Sequence, residues 1–301
     1  MLRRTIISLL LIILTFPARG AFRGEYNFYY KTSPGQTFRL VPDMTLDFDG
    51  GKAAFYSEFS FEKDSIRYLA FDKNGQIVNE QEQSKIYEMS GLGFPDWNTF
   101  QNLRSTETII WFQRVTLFIK GTGMIEPPVW ELLKEEQIIC GFKCHKARAD
   151  YLGRIWSVWY TEEIPLNLGP WLLHGLPGLI VYASDADDFF RFELRNIRTD
   201  VESRYTKRIA YYEDYSKRSG KRRYDYPLRD AYPMVNRAWS NLAYFDELSG
   251  QHLAMSQLVD KDGSKTPVPL EIPHIPLIPD EYWKSSRRQG HAILHGPVGK
   301  R

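Results

Sequence analysis

Cys140 and Cys144 bracket the tripeptide Gly-Phe-Lys, and His145 follows directly. Two cysteines in an oxidising compartment invite a disulfide. In an extended strand, residues four apart have Cα atoms about 13 Å apart, whereas a disulfide wants about 5–6 Å. A bridge therefore requires a turn or bulge at Gly141; without one, Cys144 is a small buried core residue. With His174 the segment also carries the residue types of a metal site. Zinc needs a closed set of three or four ligands, and Cys144 and His145, as neighbours in a strand, point to opposite faces. The expectation is no metal and no other cofactor. The acids of "SDADD" (184–188) lack the glycine and the closing glutamate of a calcium loop and read as a polar hairpin turn. There is no Gly-x-Ser-x-Gly, no His-Glu-x-x-His, no phosphate loop and no paired-cysteine redox box. No catalytic residue is assigned, although a dyad built from distant residues would leave no local trace. Trp156, Trp159, Tyr160, Trp171 and Tyr182 remain. They read either as core, filling a large curved sheet, or as a ring-lined surface for an apolar ligand or a partner's peptide.

The elements that must carry these residues are mostly strands. Aromatic residues make up 15% of the chain, and rings suit half-buried sheet surfaces. "EYNFYYK" alternates, with Tyr26, Phe28 and Tyr30 on one face. "MTLDFDGGKAAFYSEF" predicts a hairpin turning at Gly50 and Gly51, and "SIRYLAFDKNGQIVNE" a second one around Asn74 and Gly75. "TIIWFQRVTLFIKG", apolar on both faces, reads as a central strand. "IICGFKCHKARADYLGRIWSVWYT" gives two strands joined near Gly153, and "GLIVYASDADDFFRFELRNI" two more. Short connections make most neighbours antiparallel, and no long helical run is expected before about residue 200. Beyond it, "SRYTKRIAYYEDYSKR" and "AYPMVNRAWSNLAYFDELSG" read as short helices. "KTPVPLEIPHIPLIPDEYW" carries too many prolines for a full hydrogen-bond ladder. Its Val268, Leu270, Ile272, Ile275, Leu277 and Ile278 predict an extended segment packed on the β domain or on a partner.

The N-terminus sets the compartment. Arg3 and Arg4 precede the apolar run "TIISLLLIILTF", and "ARGA" supplies small residues around a cut after Gly20. This is the layout of a secretory signal peptide, giving a mature chain from Ala21 that is periplasmic or secreted. The run is too short for a comfortable membrane span, so none is expected after cleavage. The full chain has 39 Lys+Arg against 37 Asp+Glu. Losing Arg3, Arg4 and Arg19 leaves 36 against 37, a net charge of −1 that offers no argument for nucleic-acid binding.

Three blocks in order carry a family resemblance. They are "VWELLKEEQIICGFKCHKA" (129–147), "GRIWSVWYTEEIP" (153–165) and "LGPWLLHGLPGLI" (168–180), with "VPLEI" (268–272) matching less distinctly. The chain resembles the GLPGLI family of secreted Bacteroidota proteins. The resemblance implies export and a mostly β structure, and it supplies neither a reaction nor catalytic residues. The family pattern matches Cys144; Cys140 is additional.

These observations combine into one expectation. Residues 1–20 are a signal peptide, 21–200 a mainly β domain of curved antiparallel sheet, and 201–301 a short-helix and proline-rich extended appendage packed on it. The function expected is a non-catalytic binding or accessory protein of the cell envelope, linked to outer-membrane assembly or nutrient uptake. Its partner would be an envelope protein or an apolar ligand. The alternatives are a hydrolase of unrecognised type and a structural module of a larger envelope complex. Oligomeric state stays open. Within the hexapeptide, Gly175, Pro177 and Gly178 predict an architectural corner: glycine where φ is positive or another backbone comes close, proline to fix the turn. The corner would aim Leu179 and Val181 to one side of a central strand, and Ile180 and Tyr182 to the other.

Overall fold

The computed structural model describes residues 21–70, 76–88, 97–114, 117–218, 222–241, 244, 247–248, 257–259, 265–267 and 276–282. The first half of the chain gives β1 (Ala21–Tyr30), β2 (Arg39–Asp49), β3 (Lys52–Ser57), α1 (Glu58–Ala70), α2 (Glu80–Glu88), β4 (Trp97–Asn102), β5 (Glu107–Arg114) and β6 (Leu117–Met124). The next part gives β7 (Glu131–Ile139), β8 (Phe142–Tyr151), β9 (Arg154–Thr161), β10 (Leu179–Asp185) and β11 (Phe190–Val201). Then come α3 (Tyr205–Arg218), β12 (Arg222–Pro227), α4 (Leu228–Ser240) and a separate small hairpin of β13 (Gln257–Val259) and β14 (Lys265–Pro267).

Twelve strands form one mainly antiparallel sheet in the order β12-β6-β5-β4-β3-β2-β1-β11-β10-β9-β8-β7. Two meanders, β1–β6 and β7–β11, join where β1 pairs with β11, and the parallel pair β12–β6 is the exception. The sheet has to coil. β6 and β7 lie ten strand positions apart, about 48 Å in a flat sheet. Residues 125–130 connect them, and such a link reaches about 25 Å. The link can close only across the mouth of a rolled sheet, which stays open at β12 and β7.

The inside of the roll is the main core. Ile110, Phe112 and Ile119 from one meander share it with Trp156, Val158 and Phe192 from the other. Helix α4 fills it further with Leu228, Tyr232, Val235 and Trp239. Gly121 on β6 admits the helix, since a Cβ there would lie 2.6 Å from Leu228 Cδ1. A second cluster of Ala54, Tyr56, Phe100, Trp111, Phe118 and Tyr212 covers the outer face beneath α3. Strands β3, β5 and β6 are thus buried on both faces.

Several expectations hold. The hairpins at Gly50 and Gly51, at Gly153 and at 184–188 form, and α3 and α4 are helices. Others are corrected. Ser65–Ala70, expected in a strand, closes α1, and helices α1 and α2 stand where no helical run was expected. Glu58–Ala70 contains no Gly or Pro, so no helix breaker interrupts it. Asn74 and Gly75 lie outside the described residues. "TIIWFQRVTLFIKG" is two strands, not one: Arg114 pairs with Leu117 in a tight hairpin that no glycine announces. β10 is central, between β9 and β11, with Leu179, Ile180 and Val181 buried. Its strict alternation fails at a bulge between Ile180 and Tyr182. The three blocks of the family resemblance form neighbouring parts of the sheet: β7–β8, then β9, then the corner and β10.

Of the proline-rich segment, residues 268–275 lie outside the described residues. Leu277 and Ile278 are buried in the main core. Residues 1–20 also lie outside the description, and among the described residues no helix is long and apolar enough to cross a membrane.

Candidate functional site

Helix α1 repeats Glu58, Glu62 and Ser65 at i, i+4 and i+7, which places them on one face. Arg204, Lys207 and Arg208 recur at i, i+3 and i+4 at the start of α3, and Arg208 N–H donates to Arg204 O at 2.8 Å. These two stripes line opposite sides of a cleft of about 720 Å³, whose floor includes Arg23 of β1.

The floor is a network of charges, buried at Arg23, Asp47 and Arg208 and partly exposed at Glu58 and Arg204. Arg23 Nη2 donates to Asp47 Oδ1 at 3.2 Å and to Glu202 O at 3.0 Å. Asp47 Oδ2 accepts the Arg204 backbone N–H. Glu58 Oε1 accepts from Arg204 Nη1 at 2.6 Å, and its Oε2 accepts from Arg208 Nη2. Arg208 is only 4% exposed. Its guanidinium lies 3.2 Å from the Phe61 ring centroid and 4.8 Å from that of Tyr56, a cation–π arrangement. Among the described residues, Arg208 Nε and Nη1, and Arg23 Nε, have no hydrogen-bond acceptor. Burial pushes the Tyr56 hydroxyl up to about 12, with Glu58 and Asp47 adding to the effect, so the phenol stays neutral. Nearer solvent, Lys207 Nζ meets Glu202 Oε1 at 2.7 Å. Glu62 is exposed and makes no ion pair among the described residues. None of these cleft residues was singled out in the sequence. The basic stripe was legible in "RYTKR", but the acidic one appears only once Glu58–Ala70 is known to be helical.

The residues that were singled out lie elsewhere. Trp156, Tyr160 and Trp171 are 0%, 3% and 1% exposed, with the two indoles 5.6 Å apart. These three fill the coiled sheet, as the core alternative of the two readings has it. Trp159 and Tyr182 are half-buried, and Lys146 Nζ lies 5.6 Å from the Trp159 ring centroid. Cys140 and Gly141 form the β7–β8 turn with φ of 51° and 83°, and both cysteines are free thiols. Burial pushes the Cys144 thiol up to about 11. Among the described residues, no group of three His, Cys, Asp or Glu side chains is placed to hold a metal ion.

The hexapeptide forms a corner. Gly175 has φ of +94° and donates to Asn167 O at 3.1 Å. His174, just before it, is buried, and its carbonyl accepts from Trp130 Nε1 at 2.8 Å. Burial lowers the His174 pKa to about 4. The unfolded chain therefore takes up this proton first as pH falls. The folded state keeps its full advantage above pH about 6.5 and loses it progressively down to about 4, on the order of 3 kcal/mol in total. Urea midpoints of wild type and His174→Gln, compared across that range, should converge as pH falls; parallel curves would show that His174 does not titrate this way.

No protein-family model matches the chain, and no curated protein matches it. Among solved structures it is similar to PNGF-II in a P21 crystal form, with 14% identity, 66% of this chain and 34% of that chain covered, and a TM-score of 0.40. For PNGF-II in a C2 form the values are 13%, 70%, 32% and 0.41. The chain thus spans about a third of the length of these structures.

Proposed function

We propose that the chain is an exported, non-catalytic binding protein of the cell envelope, belonging with the GLPGLI proteins it resembles, and that it binds its ligand in the α1–α3 cleft. The observation that carries this reading is the ion-pair floor. Glu58 holds two guanidinium groups and Asp47 holds Arg23 and the Arg204 amide. Carboxylates and guanidinium groups paired in this way present oriented charge to a ligand. Export rests on the signal-peptide layout of residues 1–20. The ligand of this cleft is polar, not the apolar one anticipated from the rings.

Native mass spectrometry of the protein recovered from the envelope fraction of its host tests both halves. The expected mass starts within a residue or two of Ala21 and carries a small-molecule adduct. An intact Met1 form confined to the cytoplasm would overturn export, and adduct-free protein across repeated preparations would overturn binding.

A second reading, a module of a larger envelope complex, is favoured by β7. Among the described residues this strand pairs only with β8, and Val129, Leu132 and Ile138 around it are 90%, 60% and 70% exposed. A register irregularity between Leu132 and Glu136 interrupts its pairing, a device that blunts open sheet edges.

A further inference from the structure

Resting on the binding reading above, we propose that the α1–α3 cleft takes a zwitterion, a short peptide or amino acid whose carboxylate sits on the basic wall and whose ammonium sits on the acidic wall.

The two walls differ in sign and are bridged at the base of the cleft, where Glu58 pairs with Arg204 and Arg208. Arg204 and Lys207, with side chains 44% and 70% exposed, stand on the α3 side. Glu62 stands on the α1 side, one turn beyond Glu58. Beneath them the charges are fixed in layers. Arg208 is clamped against Phe61 and holds Glu58; Glu58 holds Arg204 Nη1, while Asp47 holds the Arg204 backbone. A guanidinium carries five N–H donors, of which Glu58 takes one, so Arg204 is oriented and still able to donate. A ligand with a single charge meets its own sign in the cleft: an anion meets Glu58 and Glu62, with Glu202 beside Lys207, and a cation meets Arg204, Lys207 and Arg208. A zwitterion aligned across the cleft meets both walls favourably, and this is how charge complementarity selects among ligands. The volume, about 720 Å³, falls in the range of small-molecule sites and is larger than a lone ion needs.

The twenty Ala-X-Ala tripeptides, each titrated calorimetrically into the purified secreted chain, test this. At least one should bind saturably at one per chain, and its N-acetylated and C-terminally amidated forms should each bind at least about tenfold more weakly. Arg204→Gln should weaken the free peptide by a similar factor and leave the amidated form unchanged; Glu62→Gln should do the same with the acetylated form as its control. Both side chains are solvent-exposed, so these variants should fold. The proposal is overturned if no tripeptide binds saturably, if blocked and free peptides bind equally, or if neither variant changes the affinity. An adduct in the native spectra that is not a zwitterion would remove this ligand class and leave the binding reading standing.

Discussion

Arg154→Ala is expected to cost about 3–5 kcal/mol and to release residues 276–282 from the sheet. Arg154 opens β9 and its guanidinium divides between two tasks. Nε donates to Leu277 O at 3.0 Å and Nη2 to Pro276 O at 2.8 Å. Nη1 donates to Asp185 Oδ2 at 2.8 Å, and Asp185 Oδ1 accepts the Phe189 and Phe190 amides, each at 2.8 Å. The two side chains are 5% and 0% exposed. Burial pulls the Arg154 pKa down against the pull of Asp185, and pushes the Asp185 carboxyl up against the Phe190 amide and Arg154. Each charge is thus held at a desolvation cost, and the pair is weak evidence of net stabilisation. Breaking it is another matter: alanine leaves a buried carboxylate without its counter-ion and two carbonyls without donors.

Arg154→Lys keeps the charge and cannot reproduce the planar fork, so most of the loss should persist. Arg154→Met combined with Asp185→Asn removes both charges and keeps an acceptor for the turn amides; it should recover about half of the loss. Urea unfolding measures the energies, and limited proteolysis between residues 268 and 282 reports release of the segment. An Arg154→Ala protein with an unchanged midpoint and unchanged cleavage would show that the segment is held by Leu277 and Ile278 alone.

This clamp illustrates what one sequence could and could not disclose. Gly153-Arg154 and "SDADD" were both legible, one as a strand junction with a family motif and the other as a polar turn. That they meet depends on β9 pairing with β10, and the clamp is completed by the Pro276 and Leu277 carbonyls, 122 and 123 residues further along the chain than Arg154. The same holds for the cleft. Glycine pairs and alternating rings announce local hairpins because turn chemistry is local. The coil of the sheet follows from strand order, which is not local, and so does the burial of Arg23 and Arg208. Helix α1 escaped notice because its apolar residues, Phe59, Phe61, Ile66, Tyr68, Leu69 and Ala70, are unevenly spaced for a helix. The β5–β6 hairpin escaped because apolarity on both faces masks a turn that lacks glycine.

The hexapeptide was more legible, and its glycines separate into two kinds that predict different losses. Gly178→Ala should destabilise by roughly 3 kcal/mol or more. A Cβ there would lie 2.0 Å from Thr161 O, 2.5 Å from Thr161 C and 2.9 Å from Glu162 N. All three are backbone atoms at the end of β9, so no side chain can rotate away. The close approach has a purpose in the fold: Leu179, the next residue, pairs with Thr161, and its N–H donates to Ile164 O at 3.1 Å. A methyl group at 178 would push β10 out of register at its first residue. The mechanism is therefore steric, the close backbone approach that was one of the two reasons anticipated for a glycine, because Gly178 does not have a positive φ. Gly175 is the converse. Its φ is +94°, but the nearest atom to an added Cβ is 3.5 Å away, so Gly175→Ala should cost only about 1–2 kcal/mol of conformational strain. Urea midpoints of the two variants should rank Gly178→Ala well below Gly175→Ala, which should lie below wild type. If Gly178→Ala instead unfolds with the wild-type midpoint while the envelope-derived adduct disappears, the corner touches the ligand, and its close packing against β9 is not what the glycine serves.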